Sequence, residues 1–239
     1  MKLKLTRKKI FSLWIISLFL WVCVCLYPIQ YGIVRLSIVM LTLLVYLGGI
    51  YLYWKHKIIK NIALSLGIIL LIFISLPGRS FDTSQLRQLY VQELKSYEGI
   101  KYAWGGENRI GIDCSGLVRQ GLIHTNFKQS FLSFNPALLR NALSLWWNDT
   151  SAEALKDEYK NYTKRGESYK SINDINYDLI QPGDLAVTSN GVHILAYLGN
   201  QQWIEADPIT LKVNTNSAPQ IDKAFFNVPI FVLQWQQFT

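Results

Sequence analysis

The chain has 239 residues, half of them apolar, with 24 Lys/Arg against 16 Asp/Glu and a formal charge of +8. That charge is unevenly placed: residues 1–80 hold ten basic and no acidic side chains, whereas residues 81–239 hold fourteen basic against sixteen acidic. A nucleic-acid partner is thereby excluded, because the positive charge lies among apolar runs and not on a soluble face.

Uncharged runs cover 10–27, 36–54 and 61–76, the last extending to 58 as Lys60 snorkels. About 20 apolar residues cross the hydrocarbon of a bilayer, so three spans are predicted, near 10–27, 36–54 and 58–76. A cleavable leader is the rival for the first run, with MKLKLTRKK as its basic start. The bulky VCVCLYPIQYG that follows offers no small-x-small cleavage site, and more spans come after it. Lys2, Lys4, Arg7, Lys8 and Lys9 mark the tail as cytoplasmic, and Lys55, Lys57 and Lys60 mark the second turn likewise. The first turn has only Arg35. A multi-pass protein of the cell membrane is therefore expected, with everything after Pro77 outside the cytoplasm.

LPGRS at 76–80 separates an anchor, 1–77, from one domain, 78–239. A helix capped by Asp82 or Ser84 buries Leu86, Leu89, Tyr90, Leu94 and Tyr97. After a glycine-containing loop, a second helix starts at Cys114 and reads to about Thr125. A helical insertion is expected near 130–175, from NPALLRNALSLWWND and SAEALKDEYKNYTKRG. In it Leu139, Leu143 and Trp146 share a face that packs in the core or walls a groove. Strands follow at 184–189, 192–198, 202–206, 211–214 and 228–235, with hairpin turns at SNG and GNQ. Helices first and an antiparallel sheet after make an α+β domain.

Cys114 stands where a loop becomes a helix, in GGENRIGIDCSGLVRQG. A small buried side chain is the plain reading; a nucleophile is the other, since unpaired N–H groups at a helix start favour a thiolate. Of the three histidines, His56 falls on the cytoplasmic turn, and His124 lies ten residues along the same helix, about 15 Å away at 1.5 Å per residue. His193, in GVHILAYLGN, remains as the base. Glu205, in QQWIEADP, is placed to accept its Nδ1–H, with Asp207 as the rival on the same strand face. One Cys, one His and one Glu without CxxC or HxxxH spacing speak against zinc, and a glycine-rich loop lacking GKS or GKT speaks against phosphate binding. No metal or other cofactor is expected.

YAWGG, GIDCSGLV, QPGDL at 181–185 and GVHILAYLGNQQWIEA, in this order, resemble the NlpC-type cell-wall cysteine peptidases of the papain-like superfamily. The order excludes the circularly permuted relatives in which His comes first. The resemblance implies a papain-like domain with N-terminal helices packed on an antiparallel sheet. It implies Cys114 as nucleophile, His193 as base and Glu205 in place of a third residue that is usually His. Tyr102 matches a tyrosine beside the active site, and Asp113 and Ser115 match positions lining the peptide groove. The implied activity is hydrolysis of amide bonds in peptidoglycan stem peptides, commonly between D-glutamate and diaminopimelate. Two other functions fit the residues: an amidase or acyltransferase acting on a lipid or protein, and a non-catalytic membrane-anchored binding protein. No motif sets an oligomeric state.

Overall fold

The computed structural model describes residues 6–239; Lys2 and Lys4, used above for orientation, lie outside the described residues. Three helices come first: α1 (Arg7–Leu26), α2 (Gly32–Leu52) and α3 (Lys57–Ser75). Each is long and apolar enough to cross a membrane, with mean hydropathy of 2.2, 2.2 and 2.3. Thr6 caps α1 by accepting from the Lys9 amide, which draws the basic residues Arg7 to Lys9 into its first turn. Polar groups tie the bundle together. The Trp14 indole donates to the Val45 carbonyl (2.8 Å), Trp21 to Thr42 (2.8 Å), and the Tyr46 hydroxyl to the Ala63 carbonyl (2.7 Å). Such bonds join helices where lipid offers no competing partner.

Asp82 caps α4 (Thr83–Lys95), accepting from the amides of Ser84 and Gln85. A short hairpin, β1 (Glu107–Asn108) and β2 (Gly111–Ile112), leads into α5 (Cys114–Leu132). Then come α6 (Pro136–Trp147), α7 (Ala152–Lys156), β3 (Thr163–Tyr169), β4 (Leu185–Thr188), β5 (Ile194–Gly199), β6 (Gln202–Asp207), β7 (Lys212–Ser217) and β8 (Ile230–Trp235). The last six strands form one antiparallel sheet in the order β3-β8-β4-β5-β6-β7. Alternate residues divide its faces. Leu185, Val187, Ile194, Ala196 and Ile204 join Tyr90, Leu94, Leu117 and Leu122 of α4 and α5 in the main core. Ala186, Leu195, Tyr197 and Trp203 pack on the other side against Ile172 and Phe226. The domain is α+β, with its N-terminal helices on an antiparallel sheet, as expected.

The region 130–175 differs from the helical insertion read from sequence. Helix α5, which starts at Cys114, continues past Thr125 to Leu132. On α6 the buried face is Leu138, Leu139, Ala142 and Leu145; Leu143 is exposed and Trp146 half-buried, so the expected 139/143/146 stripe is rotated toward α5. The following segment is not one helix. α7 stops after five residues, and Glu158, Lys160 and Asn161 take left-handed backbone (φ 56°, 54° and 57°). Beyond Leu155 only Tyr159 and Tyr162 could serve a buried helical stripe, and Gly166 interrupts it. The chain instead pairs with the free edge of β8, from Thr163 opposite Trp235 to Tyr169 opposite Ile230.

The helical bundle and the domain meet at one end of the bundle. Phe73 near the end of α3 stacks on Phe131 of α5 (centroids 5.6 Å) and on Phe134 (5.0 Å). Arg140 of α6 donates to the terminal carbonyls of α3, Ile74 (2.6 Å) and Leu76 (2.8 Å). Asn135 holds the connecting segment by accepting from the Arg79 amide (3.1 Å) and donating to its carbonyl (2.8 Å). The α1–α2 loop touches the domain at the same end: the Glu107 amide donates to the Pro28 carbonyl at 2.9 Å.

Candidate active site

Asp113 explains how the loop becomes a helix. Its backbone is extended, and its Oδ1 accepts from the Gly116 amide (2.6 Å) and the Ser115 hydroxyl (2.9 Å). Its Oδ2 accepts from the Gly105 amide (2.8 Å), tying the glycine loop to the helix start. A Cβ at Gly116 would run into the Gly106 carbonyl, so only glycine lets loop and helix approach so closely. The sequence D-C-S-G is thus cap, first helical residue, hydroxyl partner and close-approach glycine, and it puts Cys114 at the head of α5.

The thiol points at the chain around His193. Cys114 Sγ lies 4.0 Å from the Val192 carbonyl, to which it donates, and the Ile194 amide is directed at the sulfur. The two contacts flank His193. Gly191 (φ +73°) makes the turn before it; a Cβ there would fall 2.8 Å from the Glu153 Cβ. The His193 amide donates to the Thr188 hydroxyl (3.0 Å), and its ring stacks on Phe225 with centroids 3.8 Å apart. The ring is 1% exposed, as is Glu205.

Glu205 Oε2 lies 2.7 Å from His193 Nε2, and its Oε1 accepts from the Asn216 amide at 3.2 Å. The nitrogen is Nε2, where the sequence reading gave Nδ1. The register that sets Ala196 opposite Ile204 puts Glu205 diagonal to His193, so the outer ring nitrogen spans the gap. Asp207, the rival, is committed elsewhere: it accepts from the Ile209 amide (2.7 Å), Thr210 (2.9 Å) and Lys223 (3.1 Å). Burial pushes its carboxyl up, yet these three donors hold it below the usual range.

The thiol's ionisation also departs from expectation. Burial, and after it the charge of Asp113, pushes Cys114 up to about 12, against amides of Ile194, Ser115 and Cys114 itself that favour the thiolate. Desolvation outweighs the helix start. At neutral pH Cys114 is therefore held as the protonated thiol. Tyr102 is fixed by its amide, which donates to the Leu211 carbonyl (2.9 Å). Its phenol is raised by burial and then by the neighbouring Cys114 and Asp113, so it stands beside both. Asp113 and Ser115 line the same groove, but with their side chains bonded to each other Ser115 offers it mainly a backbone amide.

The groove holds about 570 Å³. One side is Tyr102, Trp104, Asp113, Cys114 and Ser115; the other is the 149–154 segment after α6 and the 190–192 turn. Thus α6 itself serves the core, while the residues that follow it make a wall. His124 takes no part: its Nδ1 lies 2.7 Å from the Tyr97 hydroxyl and 3.4 Å from Glu93. His56 caps α3 at the other end of the bundle. Phe225 and Asn216, which fix the imidazole and its acid, and Thr188, which fixes the His193 backbone, carried no sequence signal, because each meets its partner through sheet and loop packing alone.

Glu205→Ala should lower turnover about 10- to 10³-fold, less than the ~10⁴ lost when a serine protease's orienting acid is neutralised. Glu205→His should restore much of the rate, and Asp207→Ala should lower stability more than turnover. Initial rates normalised to folded protein check this; wild-type rates for Glu205→Ala would remove the acid from the site.

The sequence profile of the NlpC/P60 family matches residues 99–228, more than half of the chain. Dipeptidyl-peptidase 6 of Lysinibacillus sphaericus is 27% identical over 138 residues, 58% of this chain and 39% of that protein. The chain therefore spans about two fifths of the length of that curated relative. Among solved structures, the peptidoglycan hydrolase RipB of Mycobacterium tuberculosis is 21% identical, over 64% of this chain and 65% of its own, with a TM-score of 0.39. NlpC2 of Trichomonas vaginalis is 18% identical over 69% and 50%, with a TM-score of 0.41. The NlpC/p60 domain of the peptidoglycan hydrolase SagA is 20% identical over 62% and 97%, with a TM-score of 0.38. With the profile running from the loop before Cys114 through the strands that carry His193 and Glu205, the chain belongs to the NlpC/P60 family.

Proposed function

We propose that the protein is a membrane-tethered cysteine hydrolase that cleaves amide bonds in peptidoglycan stem peptides on the extracytoplasmic side, with residues 1–77 as anchor and 78–239 as catalytic domain. One observation carries the reading: a thiol at a helix start, on the lining of an open groove, lies against the backbone on either side of His193, whose ring is buried behind that groove in a pair with Glu205. Glu205 holds Nε2, so Nδ1 is the nitrogen that takes the thiol proton, once the ring turns from Phe225 toward Cys114 and sulfur attacks the scissile carbonyl. The imidazolium, held by Glu205, then protonates the leaving amine, and water releases the acyl group by the reverse proton path. Amides at the start of α5 are available to the oxyanion. Asp149 and Glu153 line the groove wall opposite Cys114, which suits a peptide bearing free ammonium groups.

The test is digestion of purified peptidoglycan by the full-length chain in detergent, with products identified by mass spectrometry and Cys114→Ala as control. New amine and carboxyl ends within stem peptides are expected from the wild type only. An unchanged wall, with acyl transfer found on a lipid or protein amide, would replace this reading by the amidase or acyltransferase one. For the anchor, a reporter active only outside the cytoplasm should be on when fused after Gly78 and off at His56.

A further inference from the structure

Arg35 is the single basic residue of the α1–α2 turn and the start of α2, and it is 1% exposed. Its guanidinium reaches Glu107 Oε1 at 2.5 Å, Asp149 Oδ1 at 3.4 Å and the Trp147 carbonyl at 3.4 Å. Arg119 of α5 meets the same two carboxylate oxygens, at 2.5 Å and 3.4 Å, and donates to the carbonyls of Leu145 and Asn148. Gln120 donates to the other Glu107 oxygen at 3.2 Å. Backbone joins the same parts. Ile29 bridges Gly106, the Glu107 amide donates to Pro28, the Gln30 amide to Gly105 (3.4 Å), and the Asn108 side chain to Tyr27 (3.0 Å).

What these bonds hold is the approach to the thiol. Gly105 is the residue whose amide Asp113 Oδ2 accepts, and Gly106 is the residue whose carbonyl receives the Asp113 amide (3.0 Å). Asp149 belongs to the opposite wall of the groove. One side chain of the helical bundle therefore touches one wall of the cleft at Asp149 and, at Glu107, the segment that follows the Gly105 loop on the other side.

Nothing local favours Arg35 there. A cation in the first turn of a helix opposes the helix dipole. A basic residue on an outer turn works against the orientation set by the other lysines and arginines. Two buried guanidiniums on one buried carboxylate are weak support for stability, and the Nε atoms of both have no hydrogen-bond partner among the described residues. Ionic clusters of this kind do fix one arrangement over others.

We infer that Arg35 and the α1–α2 loop are positioning elements of the active site: the anchor sets the 105–113 loop, and with it Cys114, against the groove wall. The inference rests on the hydrolase reading above. It makes the anchor part of the working enzyme, beyond a device for localisation.

The experiment uses the full-length chain in nanodiscs, with Cys23→Ser and Cys25→Ser so that Cys114 is the one thiol. Arg35→Met, Arg35→Lys and Gln30→Pro are compared, the last removing the amide that donates to Gly105 while keeping Arg35. Arg35→Met should lower kcat per titrated thiol about 10- to 100-fold, as misplacement by about 1 Å does, with KM changed less than about twofold. Arg35→Lys should recover part of the rate, and Gln30→Pro should act in the same direction as Arg35→Met. In both Arg35→Met and Gln30→Pro, Cys114 should be alkylated by iodoacetamide faster than in the wild type across pH 7–9, as the loop loosens around the thiol. Folded Arg35→Met with wild-type kcat and wild-type alkylation overturns the inference. Should Arg35→Met fail to accumulate, wild-type kcat and alkylation in Gln30→Pro overturn it alone. If the wild type cleaves no wall peptide, the hydrolase reading fails, and the alkylation comparison still decides the positioning role.

Discussion

His193→Ala should leave a folded protein whose hydrolysis at pH 7 falls by at least about 10³-fold, within the ~10²–10⁴ that a positioned base typically supplies. The size follows from the thiol. With Cys114 pushed up to about 12 by burial, almost none of it is thiolate at pH 7 without help. A cysteine with a depressed pKa would keep much of its reactivity after loss of the base; this one does not. The sign is definite: a raised pKa means the thiol stays protonated below it, so the variant should gain about tenfold in rate per pH unit from 7 toward 10 as solvent removes the proton. The wild type, with proton transfer built in, should show no such climb. Cys114→Ala should be dead at every pH. Rates measured across pH 7–10 check this, and a flat profile at near-wild-type rate for His193→Ala would take the base away from His193.

Glu107→Gln should be the most destabilising single change at the junction of bundle and domain. The carboxylate is buried between Arg35 and Arg119, each 1% exposed, and neutralising it leaves two guanidiniums facing each other with only the half-exposed Asp149 nearby. Removing one partner from a buried ionic cluster costs about 3–5 kcal/mol, because the remaining charge stays desolvated. Replacing all three with apolar residues (Arg35→Met, Glu107→Leu, Arg119→Met) should be milder than Glu107→Gln alone, since no charge is then stranded. Thermal unfolding in detergent, followed by near-ultraviolet circular dichroism, separates the cases. A Glu107→Gln protein as stable as wild type would show that water reaches the cluster.

Where the chemistry is written in contiguous residues, it was legible. D-C-S-G encodes cap, thiol, hydroxyl and close approach within four positions, and the GVHILAYLGNQQWIEA hairpin brings His193 and Glu205 together through one turn. The three apolar helices announce themselves by length and composition. Other features live in contacts that no local pattern carries. Residues 163–169 have the polar, charged composition of an exposed helix end, and become a strand because β8 presents an unpaired edge. The thiol's raised pKa comes from the depth at which α5 packs, where the sequence showed only its helix start. The choice of Nε2 depends on the diagonal between two strands. Arg35 read as a stray charge on an outer turn because its partner Glu107 is 72 residues away.

Only residues 76–82 lie between α3 and α4, and Asn135 and Arg140 pin them at both carbonyl and amide groups. α5, about 28 Å long at 1.5 Å per residue, is braced at its head through the 105–108 segment, which bonds the α1–α2 loop, and at its tail on Phe73 of α3. A catalytic head on a slack leash sweeps a hemisphere and samples many layers of a polymer. On the proposed reading, a head braced at two points has no radius to sweep, so in a bilayer its search would be two-dimensional and its cutting height fixed by the brace. The thiol would then meet the layer of substrate nearest the membrane and leave the layers above it untouched, however long the protein diffuses.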